Sequence, residues 1–134
     1  MKLLIQRAKQ ASVTVAGEVI GAIDHGQMVL VGIEKADTEA DLQRLADKLL
    51  KYRMFSDQDG KMNLNVQQVG GGVLLVSQFT LAAETKKGLR PGFSTAAVPT
   101  EGERLFNDFV NQVRAQYDKV ETGRFGADMK VSFT

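Results

Sequence analysis

The chain has 134 residues and a formal net charge of +1, so it makes one domain with room for a core and cannot be a general nucleic-acid coat. Any RNA or DNA contact must be local. It has no cysteine and one histidine, which excludes disulfides, thiolate metal sites and a cysteine nucleophile, and argues against a histidine triad or a multi-histidine zinc site.

Residues 2–8 and 12–16 carry the β-branched and aliphatic residues of strands, and Gly17-Glu18 turns the chain into a further strand over 19–23. Asp24-His25-Gly26 is turn chemistry, so His25 is read as a turn residue rather than a catalyst. Residues 27–33 form another strand, nearly continuous in Met28-Val29-Leu30-Val31 and therefore expected at the centre of a sheet. Thr38 opens a helix over about 38–52, with Asp41 as a weak capping box and Leu42, Leu45, Ala46, Leu49 and Leu50 on one face. Asp57-Gln58-Asp59-Gly60 begins like a calcium loop but lacks the later ligands and closing glutamate, so it predicts a hairpin turn. Residues 73–76, Val-Leu-Leu-Val after Gly70-Gly71-Gly72, predict a strand buried on both faces. A second helix is expected over about 100–117. Thr100 would be its N-cap after Pro99, Glu103 would complete the box, and the stripe would be Leu105, Phe106, Phe109, Val110, Val113 and Tyr117. Residues 129–134 alternate like a strand. Strands with two amphipathic helices inserted make an α+β domain spanning 1–134. No run approaches the roughly 18 apolar residues of a membrane span, and Met1-Lys2-Leu3-Leu4-Ile5-Gln6-Arg7 turns polar too early for a signal peptide. The expectation is a cytoplasmic protein with no membrane partner.

The glycine run precedes a strand, whereas a dinucleotide fingerprint follows one and opens a helix, and no GxxxxGK[ST] is present. Chemistry concentrates instead where the 73–76 strand ends, at Ser77, Gln78, Phe79 and Thr80. Such a polar cluster suits either a small-molecule pocket or a plain strand end with its turn. Ser77 and Thr80 carry hydroxyls but have no base nearby in sequence, and an unactivated hydroxyl is a poor nucleophile. Backbone N–H groups need no such tuning. Aimed at a developing oxyanion, one is worth roughly 100- to 1,000-fold in rate. Lys86, Lys87 and Arg90 form the most basic loop, read either as a solvated loop or as a phosphate contact. No cofactor or metal site is indicated.

Ser77-Gln78-Phe79-Thr80 at the end of a GGGVLLV strand closely resembles the signature of the D-aminoacyl-tRNA deacylases. Gln6-Arg7-Ala8, Ala11-Ser12-Val13, Lys87-Gly88-Leu89-Arg90-Pro91 and Thr122-Gly123-Arg124-Phe125-Gly126-Ala127-Asp128-Met129 extend the likeness, in the expected order, over essentially the whole chain. The resemblance implies barrel-like packed sheets in a homodimer with the site near the subunit interface. It implies a proofreading esterase that cleaves D-amino acids, and mischarged glycine, from the 3′ end of tRNA, assisted by the terminal ribose 2′-hydroxyl. Ser77, Gln78, Phe79 and Thr80 would line the aminoacyl pocket, with backbone N–H groups near Phe79 and Thr80 on the carbonyl oxygen and Thr80 binding rather than attacking. Phe125 and Met129 would cradle the terminal adenine, the alternative for both being core packing. Arg7 would steady the chirality-reading loop. That loop, an Asn-x-Gly-Pro-Val-Thr segment after the last strand, is inserted into the partner's pocket. Neither Pro91 nor Pro99 follows a glycine, and the expectation is that the C-terminal Gly-Pro segment is missing from this sequence. Phe79 argues against the animal relatives with Pro-Gln-Ala-Thr at this place. The alternative reading is a non-catalytic dimeric module binding single-stranded nucleic acid through Lys86, Lys87 and Arg90.

Overall fold

The computed structural model describes residues 1–34, 36–78, 99–125 and 129–134. In chain order these form β1 (Lys2–Ala8), β2 (Ala11–Val15), β3 (Glu18–Ile23), β4 (Gly26–Gly32), α1 (Glu39–Lys51), β5 (Phe55–Ser56), β6 (Met62–Leu64), β7 (Gly72–Ser77), α2 (Pro99–Arg114), β8 (Val120–Thr122) and β9 (Met129–Phe133). The first sheet has the order β1-β4-β7-β8, the second β3-β2-β9, and β5-β6 is a small hairpin. β4 pairs antiparallel with β1 and parallel with β7, and β7 pairs parallel with β8.

The first sheet is the middle of three layers. Val29, Val31, Val73 and Leu75 pack with the helices. Met28, Leu74 and Val76 pack with Ala11, Val13 and Ile23 of the second sheet. A strand whose successive side chains enter two different cores has no wet face, which is why 73–76 is unbrokenly aliphatic. β4 is central, as its composition predicts.

The barrel-like expectation is corrected. Among the described residues both sheets are open, the first ending at β1 and β8. The helices cover the face opposite the second sheet, so the apolar faces are buried by stacking rather than by closure. No described helix is long and apolar enough to cross a membrane.

The local elements follow their chemistry. Thr38 and Asp41 make a full capping box, the Asp41 amide donating to Thr38 Oγ1 (3.3 Å) and the Thr38 amide to Asp41 Oδ2 (3.0 Å). The Thr38 amide and, next, its hydroxyl, both donating to Asp41 Oδ2, hold the Asp41 carboxyl below the usual carboxylate range. The hairpin turn at 57–60 forms, with Gly60 at φ +77° and the Asp57 carboxylate accepting from the amides of Asp59 and Lys61. α2 starts one residue early and stops three short of expectation. Pro99 occupies the first turn, where its missing N–H costs nothing, so Thr100 lies inside the helix rather than capping it. Tyr117 lies past the end and donates its hydroxyl to the Gly71 carbonyl. Burial, reinforced by Asp118, pushes its phenol up.

The glycine run serves packing. Gly70 turns the chain at φ +65°. Gly72 lies so close to β4 that a Cβ on Gly26 would overlap its carbonyl oxygen and stand 2.6 Å from its nitrogen.

Candidate active site

Because β4, β7 and β8 run parallel, their C-terminal ends at Gly32, Ser77 and Thr122 share one edge of the sheet. In open sheets of this kind ligands bind in the crevice outside those ends. Ser77 is the last residue of β7, in register with Val31, and the Gln78 amide donates to the Val31 carbonyl at 2.8 Å. Both are half-buried. By strand alternation Ser77 continues the helix-side row of Val73 and Leu75, and Gln78 the opposite row. Phe79, Thr80, Lys86, Lys87 and Arg90 lie outside the described residues.

β8 returns the chain to this edge, with the Gly123 amide donating to the Leu75 carbonyl at 3.0 Å. Two residues on, the half-buried Phe125 leans on Phe106 of α2, with ring centroids 6.2 Å apart at 38°. Phe125 also forms one wall of a cavity of about 550 Å³ between α2 and the end of β8. Met129 begins β9 and packs with the second core. Its Sδ fills the space over Gly123, where a Cβ would stand only 2.6 Å away. Phe125 and Met129 are thus each part packing and part exposed. Ser77 and Gln78 thus end β7 at this edge, and Phe125 follows the end of β8 there.

Arg7 is not brought there. It pairs with Gln27, at the opposite end of β4, and its Nη1 donates to the Met54 carbonyl (3.3 Å) and approaches Met62 Sδ (3.4 Å). It lines a separate cavity of about 460 Å³ together with His25, Phe55 and Thr134. His25 sits in the β3–β4 turn, edge-on to Phe55 at 5.0 Å, far from Ser77 along the sheet. Among the described residues no three His, Asp or Glu side chains are grouped to hold a metal.

The chemistry shown at the described edge is binding chemistry: a hydroxyl, an amide and an aromatic face. Sequence reading missed β8, whose β-branched Val120 and Thr122 make too short a run to stand out. It also missed the polar flank of α2 along the Phe125 cavity, where Asn107, Asn111 and Arg114 recur at helical spacing.

The family whose pattern matches residues 4–134 is described as D-Tyr-tRNA(Tyr) deacylase. A D-aminoacyl-tRNA deacylase of Marinomonas sp. is 86% identical over all of this chain and 93% of that protein. Another, from Saccharophagus degradans, is 61% identical over 98% of this chain and 91% of that protein. Among solved structures, the c-Myc DNA unwinding element binding protein superposes with a TM-score of 0.95 at 39% identity, over 100% of this chain and 91% of that one. A eukaryotic protein described as a probable D-amino acid tRNA deacylase superposes with a TM-score of 0.80 over 98% of this chain and 92% of that one. At 17% identity that is a likeness of fold alone.

Proposed function

The chain belongs to the D-Tyr-tRNA(Tyr) deacylase family, and from that premise we propose that it is a hydrolase cleaving the ester between a D-amino acid, or mischarged glycine, and the 3′ end of tRNA. Water attacks the carbonyl carbon, the tetrahedral intermediate collapses, and the free amino acid and the tRNA hydroxyl leave. The observation that carries the reading is the position of Ser77 and Gln78 at the C-terminal end of a parallel strand, at the edge where Phe125 also stands.

At that edge Ser77, Gln78, Phe79 and Thr80 line the aminoacyl pocket, and amides near Phe79 and Thr80 receive the carbonyl oxygen as it gains charge. Preorganised donors of this kind need no base. The proton balance is then met by the ribose 2′-hydroxyl of the substrate, which assists the attacking water, and Thr80 binds rather than attacks. Phe125 and Met129 cradle the terminal adenine, while Lys86, Lys87 and Arg90 meet nearby phosphates. Proofreading of this kind acts on cytoplasmic tRNA.

Arg7 and Thr134 share one cavity. A Gly-Pro segment following the last strand would start beside Arg7, which supports Arg7 as the residue that steadies it. In this reading the segment serves the pocket of a second copy, in a homodimer with each site near the interface.

The test is the decay of D-tyrosyl-tRNA against L-tyrosyl-tRNA, with this chain and with the chain extended through an Asn-x-Gly-Pro-Val-Thr segment. Selective loss of the D-ester by the extended chain is the expected result. If neither form cleaves either ester, the esterase gives way to the single-stranded nucleic-acid-binding module. A tRNA ending in 2′-deoxyadenosine should bind yet resist cleavage, whereas Thr80→Val should retain activity. Persistent cleavage of the deoxy substrate would remove the 2′-hydroxyl from the mechanism.

A further inference from the structure

The cavity beside Phe125 continues away from the site edge along α2. β7 ends at Ser77 and β8 restarts parallel to it, so α2 between them runs back from that edge, with its first turn near the site and Arg114 far from it. The two exposed flanks of α2 differ in kind. On the outer flank Arg104 is neutralised within the helix by Glu101 and, at 3.3 Å, by Asp108. On the groove flank stand Glu103, Asn107, Asn111 and Arg114, opposite Arg124 and Phe125. Their charge changes along the groove, from a carboxylate at the site end to a guanidinium at the far end. Asn107 and Arg114 are separated by about 10 Å of helix rise. Arg114 Nη2 donates to the Val120 carbonyl at 3.3 Å, which fixes the head group at the free edge of β8 while using one of its five donors.

We propose that this groove holds the single-stranded nucleotides that precede the terminal nucleotide of the tRNA. Arg124 and Arg114 meet their phosphates, and Asn107 and Asn111 the ribose or base edges. The inference rests on the reading that the terminal adenosine lies at Phe125. A strand whose ester is at the Ser77 edge carries its phosphates away from that edge, toward the cationic half of the groove. The carboxylate end faces the part of the substrate that bears the amino group rather than a phosphate. An aromatic face followed by amides and guanidiniums is the usual composition of a single-strand track.

The experiment titrates the protein with uncharged tRNA over a range of salt, and separately compares hydrolysis of D-tyrosyl-tRNA with that of D-tyrosyl-adenosine, which has no upstream nucleotides. Arg124→Gln should reduce the log–log salt slope by about 0.7, the share of one single-strand phosphate. Asn111→Asp, an exposed and nearly isosteric change, should weaken tRNA binding about tenfold by setting a carboxylate against the strand. Both losses on the tRNA ester should exceed those on the adenosine ester by about that factor, and Arg104→Gln on the outer flank should alter neither. Wild-type affinity and salt slope in both groove variants would overturn the proposal, as would equal losses on the two esters. If neither this chain nor its Gly-Pro-extended form cleaves either ester, the deacylase reading fails, while the tRNA titration still decides the groove.

Discussion

Gly26→Ala should be the most damaging single methyl addition among the glycines of the first sheet. The new Cβ would overlap the Gly72 carbonyl oxygen and lie 2.6 Å from the Gly72 nitrogen and 2.8 Å from its carbonyl carbon. All three atoms are backbone, so no rotamer change relieves the clash, and β4 and β7 must part. Parting them weakens the bond from the Gly72 amide to the His25 carbonyl, now 2.9 Å, at about 0.5–1.5 kcal/mol. Overpacking between the strands costs about 1–3 kcal/mol more. A loss of roughly 2–4 kcal/mol is large against the 5–15 kcal/mol typical of a domain. In urea it should lower Cm by roughly 1–2 M with m unchanged. Gly72→Ala, which meets Ile23 at 2.8 and 2.9 Å, should fall below it. Gly17→Ala should cost about 1–2 kcal/mol from its φ of +81° alone, since nothing lies within 4 Å of the added methyl. If Gly26→Ala proves no worse than Gly17→Ala, close approach of β4 and β7 is not what the glycines provide.

Phe125→Leu should keep the apolar contact with Phe106 but lose the stacking face, raising KM for D-tyrosyl-tRNA at least about fivefold with little change in Tm. An unchanged KM would reduce Phe125 to core packing. Gly123→Ala displaces the Met129 thioether, which is flexible enough to hold the stability cost under about 1.5 kcal/mol; its effect should therefore show in KM before it shows in urea unfolding. The Asp57 carboxyl is held below its ordinary 3.8 chiefly by the Lys61 amide and further by that of Asp59. Since its folded value is depressed, its contribution is complete above the ordinary value and is lost as pH falls through the lower, folded one. The Lys61 amide resonance should therefore shift only in acid below about pH 4, and Asp57→Asn should abolish that titration.

What was legible in the sequence was whatever is decided locally. The run at 73–76 announced a doubly buried strand because each side chain must enter one of two cores. Leu42, Ala46, Leu49 and Leu50 announced a helix because their spacing matches its turn. β8 could not be read, because Val120, Glu121 and Thr122 become a strand only by pairing with residues 73–75, more than forty positions earlier. The ending of α2 was misread for a related reason. Tyr117 keeps the apolar spacing, but its hydroxyl is committed to Gly71, across the fold. That Ser77 and Gln78 stand at the end of a buried strand was legible from the aliphatic run before them. That Arg7 belongs to the opposite edge depends on the antiparallel sense of β1, which no local pattern carries.

That separation has a consequence for how a site could use both residues. Arg7 is in register with Gln27 and Ser77 with Val31, so four residue steps along β4, about 13 Å of strand, separate them. A rigid central strand, bonded on both sides, cannot bend to close that distance within one chain. If Arg7 serves the Ser77 pocket by steadying a segment inserted into it, either that segment bridges the gap within one chain or the two come from different copies. The case can be decided by complementation in the extended chain. Arg7→Ala and Ser77→Phe, the second filling the pocket mouth, should each be inactive alone. When the two are unfolded together and refolded, mixed dimers contain one site that joins an intact pocket to an intact Arg7, and activity should return. Equal mixtures that stay inactive, although the two chains co-assemble on sizing, would mean that Arg7 acts within its own chain or not on this pocket at all.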